Sequence, residues 1–311
     1  MKTPVAFIIF KRPDTTKQVF EAIRQAKPPK LLVIADGARE NQPEEAEKCA
    51  ATRAIIDRVD WDCEVLKNFA DENMGCRNRV SSGLDWVFET VEEAIILEDD
   101  CVPNPSFFIF CEELLEKYRD DRRIMTICGT NVLGEWKSDL QSYFFSSYYS
   151  CWGWATWKRA WNYYDVEMKL WSNPDIKKRV REILANDQQY RIWKKLFDNV
   201  RQADTWDFQW FLSYILQSGL VIIPSVNLVS NIGFSAEATH TKEKDIRANL
   251  TSNTMSFPLK EPLCIVRDRE YETVRSKKMS VINSLSRRIY LKTKKTFVNI
   301  NKAIRMTSRK L

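Results

Sequence analysis

In Ala94-Ile95-Ile96-Leu97-Glu98-Asp99-Asp100-Cys101-Val102-Pro103, an apolar run leads directly into three consecutive carboxylates, and a proline follows. An apolar run of this length between turn residues predicts a buried strand at the centre of a sheet. The acids then lie at the carboxyl end of that strand, where open α/β sheets bind ligands. Burying three negative charges together is costly unless a cation or hydrogen-bond donors compensate them. The alternative is an acidic turn at the start of the next helix, where acids are common.

The three carboxylates favour a site for Mn²⁺ or Mg²⁺, because these ions prefer oxygen ligands and commonly bridge carboxylates to phosphates. The chain contains neither GxxxxGK[ST] nor GxGxxG, and its eight glycines argue against a glycine-rich phosphate loop. The only histidine, His240, has no GxSxG motif to accompany it. One histidine without a cysteine cluster also argues against catalytic zinc. A carboxylate–metal site is the chemistry that remains.

Strand and helix patterns alternate on both sides of this segment. Strands are predicted over residues 5–10, 31–35, 63–66 and 124–128, and helices over 14–26, 43–59, 77–90 and 105–118. Repeated units of this length predict an α/β fold in which a mostly parallel sheet has helices on both faces. Asp36 directly follows the second strand, so the chain order places it at the same sheet edge as Asp99 and Asp100.

The second half of the chain is rich in aromatic residues, nine of which fall between Tyr143 and Trp161. Most of them are expected in the core, because large aromatic side chains dominate protein interiors. Helices are predicted over 155–164, 175–185, 188–199 and 206–218, short strands over 220–223 and 226–229, and a polar loop over 235–258.

The net charge of +6 is unevenly distributed along the chain. Residues 273–311 contain twelve Lys and Arg and no acid, whereas the remainder carries 36 basic and 42 acidic residues. Apolar residues at mostly helical spacing among the basic ones are typical of an amphipathic helix on an anionic membrane surface. A solvated or disordered tail is the alternative. The acidic body argues against nucleic acid as a partner.

The cellular location is inferred from the cysteines and the N-terminus. The eight cysteines show neither CxxC pairs nor zinc-type spacing, which favours a reducing cytoplasm. The apolar run Val5–Phe10 is too short for a signal peptide and ends in Lys11-Arg12-Pro13, and no segment is long enough to span a bilayer. We therefore expect a cytoplasmic protein, peripheral on the inner face of the cell membrane if the basic tail binds lipid.

Six motifs, in one order, resemble those of GT-A glycosyltransferases, in particular N-acetylglucosaminyltransferase I and bacterial family-2-like enzymes that carry a Glu-Asp-Asp form of the DxD motif. The motifs cover about residues 3–245: Pro4–Arg12, Val33–Gly37, Ile96–Asp100 with Pro103–Phe108, Trp152-Gly153-Trp154, Trp206-Asp207 and His240. The resemblance implies a Rossmann-like GT-A domain. Its nucleotide-sugar half would be 1–130 and its aromatic-rich acceptor half 131–260, followed by a basic C-terminal tail over 261–311.

For the nucleotide, the resemblance assigns Arg12 to a uracil contact and Asp36 to a hydrogen bond with the base. Arg77 or Arg79, which open the helix after Asn73-Met74-Gly75, would complete the nucleotide pocket. The alternative for Arg12 is a surface turn residue, and for Asp36 a common turn pair with Gly37, although residues at strand ends often carry function.

For the donor sugar and the metal, the resemblance gives Glu98 and Asp99 contacts to sugar and ribose, and makes Asp100 the direct Mn²⁺ ligand. His240 falls in a late loop that closes over the donor phosphates in the family, which makes it the second metal-site candidate; a solvated histidine is the alternative. Because sugar faces stack on Trp and Tyr rings, Trp152, Trp154 and Tyr149 are expected to contact the donor or the acceptor.

Asp207 matches the catalytic base of the family, although an ordinary acid on a helix is the alternative. These roles imply a metal-dependent, inverting transferase that moves a sugar from a UDP-sugar to a hydroxyl of a glycan or glycolipid acceptor. Two other functions remain open. One is a sugar-1-phosphate nucleotidyltransferase, although its glycine- and lysine-rich N-terminal signature is absent; the other is a catalytically inactive, membrane-associated carbohydrate-binding protein.

Overall fold

A computed structural model describes residues 1–184, 186–201, 203–234 and 250–279 of the chain. Its strands are β1 (Val5–Ile9), β2 (Lys30–Ala35), β3 (Glu64–Phe69), β4 (Glu93–Glu98), β5 (Cys101–Pro103), β6 (Ile124–Cys128), β7 (Tyr143–Ser146), β8 (Trp154–Trp157), β9 (Leu220–Pro224) and β10 (Val229–Asn231). Its helices are α1 (Pro13–Ala26), α2 (Pro43–Ala54), α3 (Gly75–Thr90), α4 (Pro105–Lys117), α5 (Lys158–Trp161), α6 (Pro174–Ile183), α7 (Asp187–Val200) and α8 (Asp207–Ile215), with 3-10 turns at Ile55–Arg58 and Lys169–Ser172.

The fold is a mixed α/β fold with a mostly parallel central sheet of eight strands, in the order β3-β2-β1-β4-β8-β6-β9-β7. Within the run β3-β2-β1-β4, each strand is parallel to the next. β8 is antiparallel to both β4 and β6, whereas β6 and β9 are parallel. The predicted α/β class, with helices flanking a mostly parallel sheet, is confirmed.

Alternating side chains of the central strands pack on opposite faces of the sheet, as the two-residue period of a strand requires. Ile8 and Ile96 join the hydrophobic cluster that α3 and α8 cover. Phe7 and Leu97 join the second cluster, beneath α1 and α4. Because helices cover both faces of the sheet, its central strands are continuously apolar. These uninterrupted apolar runs are the pattern from which the strands were predicted.

One strand replaces the beginning of a predicted helix in the aromatic half of the chain. The helix predicted over 155–164 is wrong for its first residues, because Trp154–Trp157 forms β8 and only Lys158–Trp161 is helical. β8 fits between β4 and β6, where Ala155 pairs with both Ile95 and Ile127. Backbone pairing with two distant strands overrides the local sequence pattern there.

A short second sheet brings a late segment of the chain to the acidic motif. β5 and β10 pair antiparallel, with Cys101 opposite Asn231. The backbone N–H of Ile232 then donates to the carbonyl of Asp100 at 2.8 Å. The strand predicted over 226–229 therefore lies slightly later in the chain, and its pairing positions the residues that follow it beside Asp100.

The beginning of the predicted basic tail belongs to the folded body. A helix covers residues 269–279, and its Tyr271 is 1 % exposed, with its ring centroid 4.5 Å from that of Phe144. The Glu272 carboxylate accepts hydrogen bonds from the Ser146 hydroxyl and the Ser147 N–H. The remainder of the tail, from residue 280, lies outside the described residues. No helix in the described part of the chain combines the length and apolarity needed to cross a membrane.

Candidate functional site

A cavity of about 600 Å³ opens at the carboxyl ends of β1, β2 and β4. This is the edge at which parallel α/β sheets bind ligands. The cavity brings together seven of the predicted site residues: Arg12, Asp36, Arg79, Glu98, Asp99, Asp100 and Asp207. The common edge expected for Asp36, Asp99 and Asp100 is therefore present.

Arg12 lies against the acidic motif. Its Nη1 donates to Oδ2 of Asp100 at 3.0 Å, and its Nη2 donates to Oδ1 of Asp99. The backbone N–H of Phe10 donates to the other Asp99 oxygen at 3.2 Å. Burial raises the pKa of Asp99 to about 6, and the Arg12 guanidinium opposes that rise. The residue predicted to contact uracil thus compensates two buried carboxylates.

Glu98 differs from Asp99 and Asp100 in its hydrogen bonding, because none of the described residues donates a hydrogen bond to its carboxylate. Burial, together with the charges of Asp100 and Asp99, raises the pKa of Glu98 to about 8. The single guanidinium of Arg12 therefore does not neutralise the three carboxylates. Their remaining negative charge favours the binding of a further cation.

The residues fit a divalent cation that binds through one protein carboxylate and completes its shell with water and substrate oxygens. Asp100 lines the cavity and its side chain is 13 % exposed. In the described part of the chain, no group of three or more Asp, Glu, His or Cys side chains is arranged to enclose a metal ion by itself. Mg²⁺ is commonly held in this open manner by one or two carboxylates together with substrate phosphates.

Gly233 packs directly on the candidate metal ligand. A Cβ at this position would lie 2.0 Å from Oδ2 of Asp100 and 2.9 Å from Nη1 of Arg12. The Gly233 N–H donates to the side-chain oxygen of Asn231 at 2.9 Å, and this bond holds the turn. Only a residue without a side chain permits this approach, so the segment after β10 forms part of the site.

Asp36 lies on the cavity wall, but its carboxylate is fully used within the protein. Oδ1 accepts from the N–H groups of Gly37 and Met74, and Oδ2 accepts from Gly75 N–H and the Asn73 amide. Four donors fill the acceptor positions of a carboxylate. Asp36 therefore fixes the loop that begins α3, and this geometry does not support the predicted hydrogen bond to a nucleotide base.

Arg79 lines the cavity and Arg77 does not, but the guanidinium groups of both are hydrogen-bonded within the protein. Arg79 is 4 % exposed and donates to the Ala35 carbonyl and to Asn68, which ties β2 to β3. Arg77 does not line the cavity, because its guanidinium donates to the carbonyls of Val166 and Arg201. These bonds give both arginines structural roles, and the nucleotide contacts predicted for them stay predictions.

Asp207 begins α8 and lines the same cavity as the acidic motif. The Thr205 hydroxyl donates to its Oδ1, and the Tyr149 hydroxyl donates to its backbone carbonyl at 2.7 Å. The Asp207 charge contributes to the raised pKa of Glu98, behind burial and the adjacent acids. The two acidic regions therefore lie within electrostatic reach of each other.

Asp204 is a cavity residue that the sequence analysis missed. Its two carboxylate oxygens accept hydrogen bonds from the N–H groups of Cys76 at 3.1 Å and Arg77 at 2.7 Å, so Asp204 caps α3. Its position three residues before the predicted base, Asp207, is the feature of the sequence that could have identified it. Arg39, Trp193 and Arg275 also line the cavity without having been predicted, and no local pattern marks them.

The tryptophan prediction is corrected. Trp154 is 0 % exposed and stacks on Trp206 with centroids 5.5 Å apart, so it belongs to the core and cannot reach a sugar. Trp152 lines the cavity instead and meets the Phe234 ring edge-on at 5.5 Å. His240 lies outside the described residues.

No family model matches the chain, and no curated protein sequence matches it either. Several solved structures have similar folds. The apo form of mouse xyloside xylosyltransferase 1 is 8% identical over 70% of this chain and 82% of its own, with a TM-score of 0.34. An apo UDP-glucose pyrophosphorylase is 9% identical over 73% and 93%, with a TM-score of 0.35.

A UDP-glucose pyrophosphorylase in complex with UDP-glucose is 11% identical over 48% of this chain, with a TM-score of 0.28. The match spans 64% of that enzyme's length. The similar structures thus include a xylosyltransferase and pyrophosphorylases, and TM-scores below 0.5 do not discriminate between them.

Proposed function

We propose that the chain is a nucleotide-sugar-dependent glycosyltransferase that uses a UDP-sugar and inverts the anomeric carbon. One observation carries the proposal: the cluster of Glu98, Asp99 and Asp100 shares a single cavity with Asp207, at the carboxyl edge of the sheet. A transferase needs a cationic site for a diphosphate and a base for an acceptor hydroxyl within one enclosed volume.

Asp100 would hold Mn²⁺ or Mg²⁺, with His240 as a further candidate ligand. The ion would supply positive charge to the diphosphate that leaves the sugar. Arg12 contributes a fixed cation beside Asp100. Because Arg12 is held by two carboxylates, it also keeps Asp99 and Asp100 in place before the substrate binds.

Asp207 is the proposed general base. Its carboxylate takes the proton of the acceptor hydroxyl as that oxygen attacks the anomeric carbon from the face opposite the leaving group. The new oxygen–carbon bond forms while the bond between the anomeric carbon and the phosphate oxygen breaks, and UDP departs. The hydrogen bond from the Thr205 hydroxyl orients the carboxylate for this step.

The aromatic wall offers a surface for the sugars. Trp152, Tyr149, Trp193 and Phe208 all line the cavity. Aromatic faces present apolar area beside polar groups, which suits the mixed character of a sugar ring. We propose that the acceptor is a glycan or glycolipid, and that the basic residues beyond 279 attach the protein peripherally to an anionic membrane.

A screen of nucleotide-sugars that measures the products tests this proposal. Purified protein with Mn²⁺ and a UDP-sugar should release UDP, by transfer or by slow hydrolysis. A sugar-1-phosphate nucleotidyltransferase given UTP and a sugar 1-phosphate would release pyrophosphate instead. An inactive carbohydrate-binding protein would release neither, so either of these two results would remove the proposed activity.

A further inference from the structure

Four arginines line the cavity, and they differ in what they contact. Arg12 pairs with two aspartates, Arg39 pairs with Glu45, and Arg79 donates to backbone carbonyls. Arg275 is different: within the described ranges, no carboxylate lies in ion-pair distance of its guanidinium. Its described contact is the face of the Tyr148 ring, with the guanidinium carbon 4.8 Å from the ring centroid.

The position of Arg275 is set by the helix over residues 269–279. Tyr271 and Glu272 on that helix are each 1 % exposed, and Ser276, next to Arg275, is 7 % exposed. Asp268 anchors the helix start by accepting hydrogen bonds from the Trp136 indole N–H and the Tyr271 N–H. Arg275 is therefore held at the cavity wall by a helix that packs on the folded body of the protein.

Aromatic contacts connect Arg275 to the Asp207 side of the cavity. The Tyr148 ring beneath its guanidinium stacks with Trp193 and Phe211, at centroid distances of 6.1 Å and 5.8 Å. Trp193 also contacts Phe208, the residue after Asp207, at 6.1 Å. The acceptor, whose hydroxyl must reach Asp207, would therefore occupy the part of the cavity that Arg275 borders.

We propose that Arg275 recognises an anionic group, phosphate or carboxylate, on the acceptor substrate. The proposal rests on the proposed transferase function and specifies the acceptor class. A guanidinium stacked on a ring keeps its N–H edges free and pre-oriented for a bidentate oxyanion contact. The six carboxylates that line the cavity repel an anion elsewhere, so this cation would set which end of the acceptor enters.

The direct test measures anion binding without turnover. Isothermal titration with sodium pyrophosphate in EDTA excludes divalent ions, so the protein itself must hold the anion. We expect wild type to bind and Arg275→Gln to bind at least about tenfold more weakly, since hydrogen bonds between charged groups are lost. Arg275→Lys should retain part of the affinity, because it keeps the charge but loses the planar fork.

Lys277→Gln is the matched control, because it removes the same charge from an exposed position on the same helix. It should bind pyrophosphate as wild type does. Thermal unfolding of each variant separates lost binding from lost folding. Absent binding to wild type, or equal binding to wild type and Arg275→Gln, overturns the proposal.

Competition identifies the anion and separates this inference from the proposed function. Glucose 1-phosphate and glucuronate, but not methyl glucoside, should displace pyrophosphate from wild type; displacement by only one of the two assigns phosphate or carboxylate. Equal displacement by the neutral glucoside overturns the inference. Because no transfer is measured, a negative donor screen would remove the transferase proposal while leaving this anion site intact.

Discussion

The guanidinium of Arg12 and the carboxylate of Asp100 form a 3.0 Å hydrogen-bonded ion pair across 88 positions of sequence. The arginine follows the first strand and the aspartate follows the central strand, and the parallel neighbours β1 and β4 bring the two together. The candidate metal ligand thus carries a partial counter-charge before any ion binds. The predictions below follow from this pair and from the residues around it.

Replacing Arg12 with Gln should destabilise the metal-free protein by about 3 kcal/mol, because it leaves two buried carboxylates without their cation. Mn²⁺ should then restore more stability to Arg12→Gln than to wild type, since the ion supplies the missing charge. Thermal unfolding in EDTA and in Mn²⁺ measures both effects. An identical Mn²⁺ shift in the two proteins would show that the ion does not bind at this cluster.

Asp207→Asn should leave UDP affinity within about twofold of wild type and reduce transfer by about 10²–10⁴-fold, because the amide cannot accept the acceptor proton. Steady-state UDP release, with titration of UDP in parallel, separates the two quantities. Preserved turnover in this variant would exclude Asp207 as the base.

Asp204→Ala is a matched comparison, because Asp204 lies three residues away in the same cavity but caps α3. It should lower stability by about 1 kcal/mol, the usual cost of losing a helix N-cap. Its effect on the turnover number should be much smaller than that of Asp207→Asn. Denaturant unfolding and UDP-release kinetics test this, and a loss of turnover equal to that of Asp207→Asn would assign Asp204 to the chemistry.

Gly233→Ala should weaken Mn²⁺-dependent UDP binding at least about tenfold while the protein remains folded, because the added methyl group occupies the position of Asp100 Oδ2. Circular dichroism reports the fold and titration reports the binding. Wild-type affinity in this variant would mean that Asp100 can move without consequence, and would argue against it as the metal ligand.

Asp268 makes the docking of the helix over 269–279 sensitive to acid. Burial raises the pKa of Asp268, but hydrogen bonds from Trp136 and Tyr271 and the charge of Lys137 outweigh it, so the net pKa is lowered. A carboxyl whose folded pKa is depressed contributes stability above its unfolded value, and that stability is lost as pH falls through the folded pKa. The protection factors of the helix amides, which are corrected for the intrinsic pH dependence of exchange, should therefore fall from about pH 4 downward.

Asp268→Asn should produce the same release of this helix at neutral pH and should weaken pyrophosphate binding at Arg275. Unchanged exchange in Asp268→Asn would show that the other contacts of the helix, those of Tyr271 and Glu272, hold it without the Asp268 carboxylate.

The first half of the fold was predictable because its strands are continuous apolar runs and each is followed by an amphipathic helix. That pattern also placed Asp36, Asp99 and Asp100 at one edge. β8 was not predictable, because Trp154–Trp157 becomes a strand only by pairing with β4 and β6, which lie far away in the chain. Arg275 was not predictable either, because only the docking of the helix over 269–279, through Tyr271 and Glu272, brings it to the cavity wall.

The roles of individual residues were harder to predict than their positions. Asp36 lies where the chain order places it, yet four donors within the protein occupy its carboxylate. Trp154 lies beside the site in sequence, but β8 lies inside the sheet, where all four of its residues are buried. Hydrogen-bond saturation and strand orientation are properties of the folded chain, and a linear motif does not contain them.

Isothermal titration of UDP into wild type and Asp100→Asn, each with Mn²⁺ and with EDTA, tests directly whether Asp100 holds a metal ion that binds the nucleotide. We expect wild type to bind UDP tightly only with Mn²⁺, and Asp100→Asn, which keeps the size of the side chain but loses its charge, to lose that dependence. UDP binding that is absent from wild type, or that is the same with and without Mn²⁺ in both proteins, would contradict a nucleotide–metal site at Asp100.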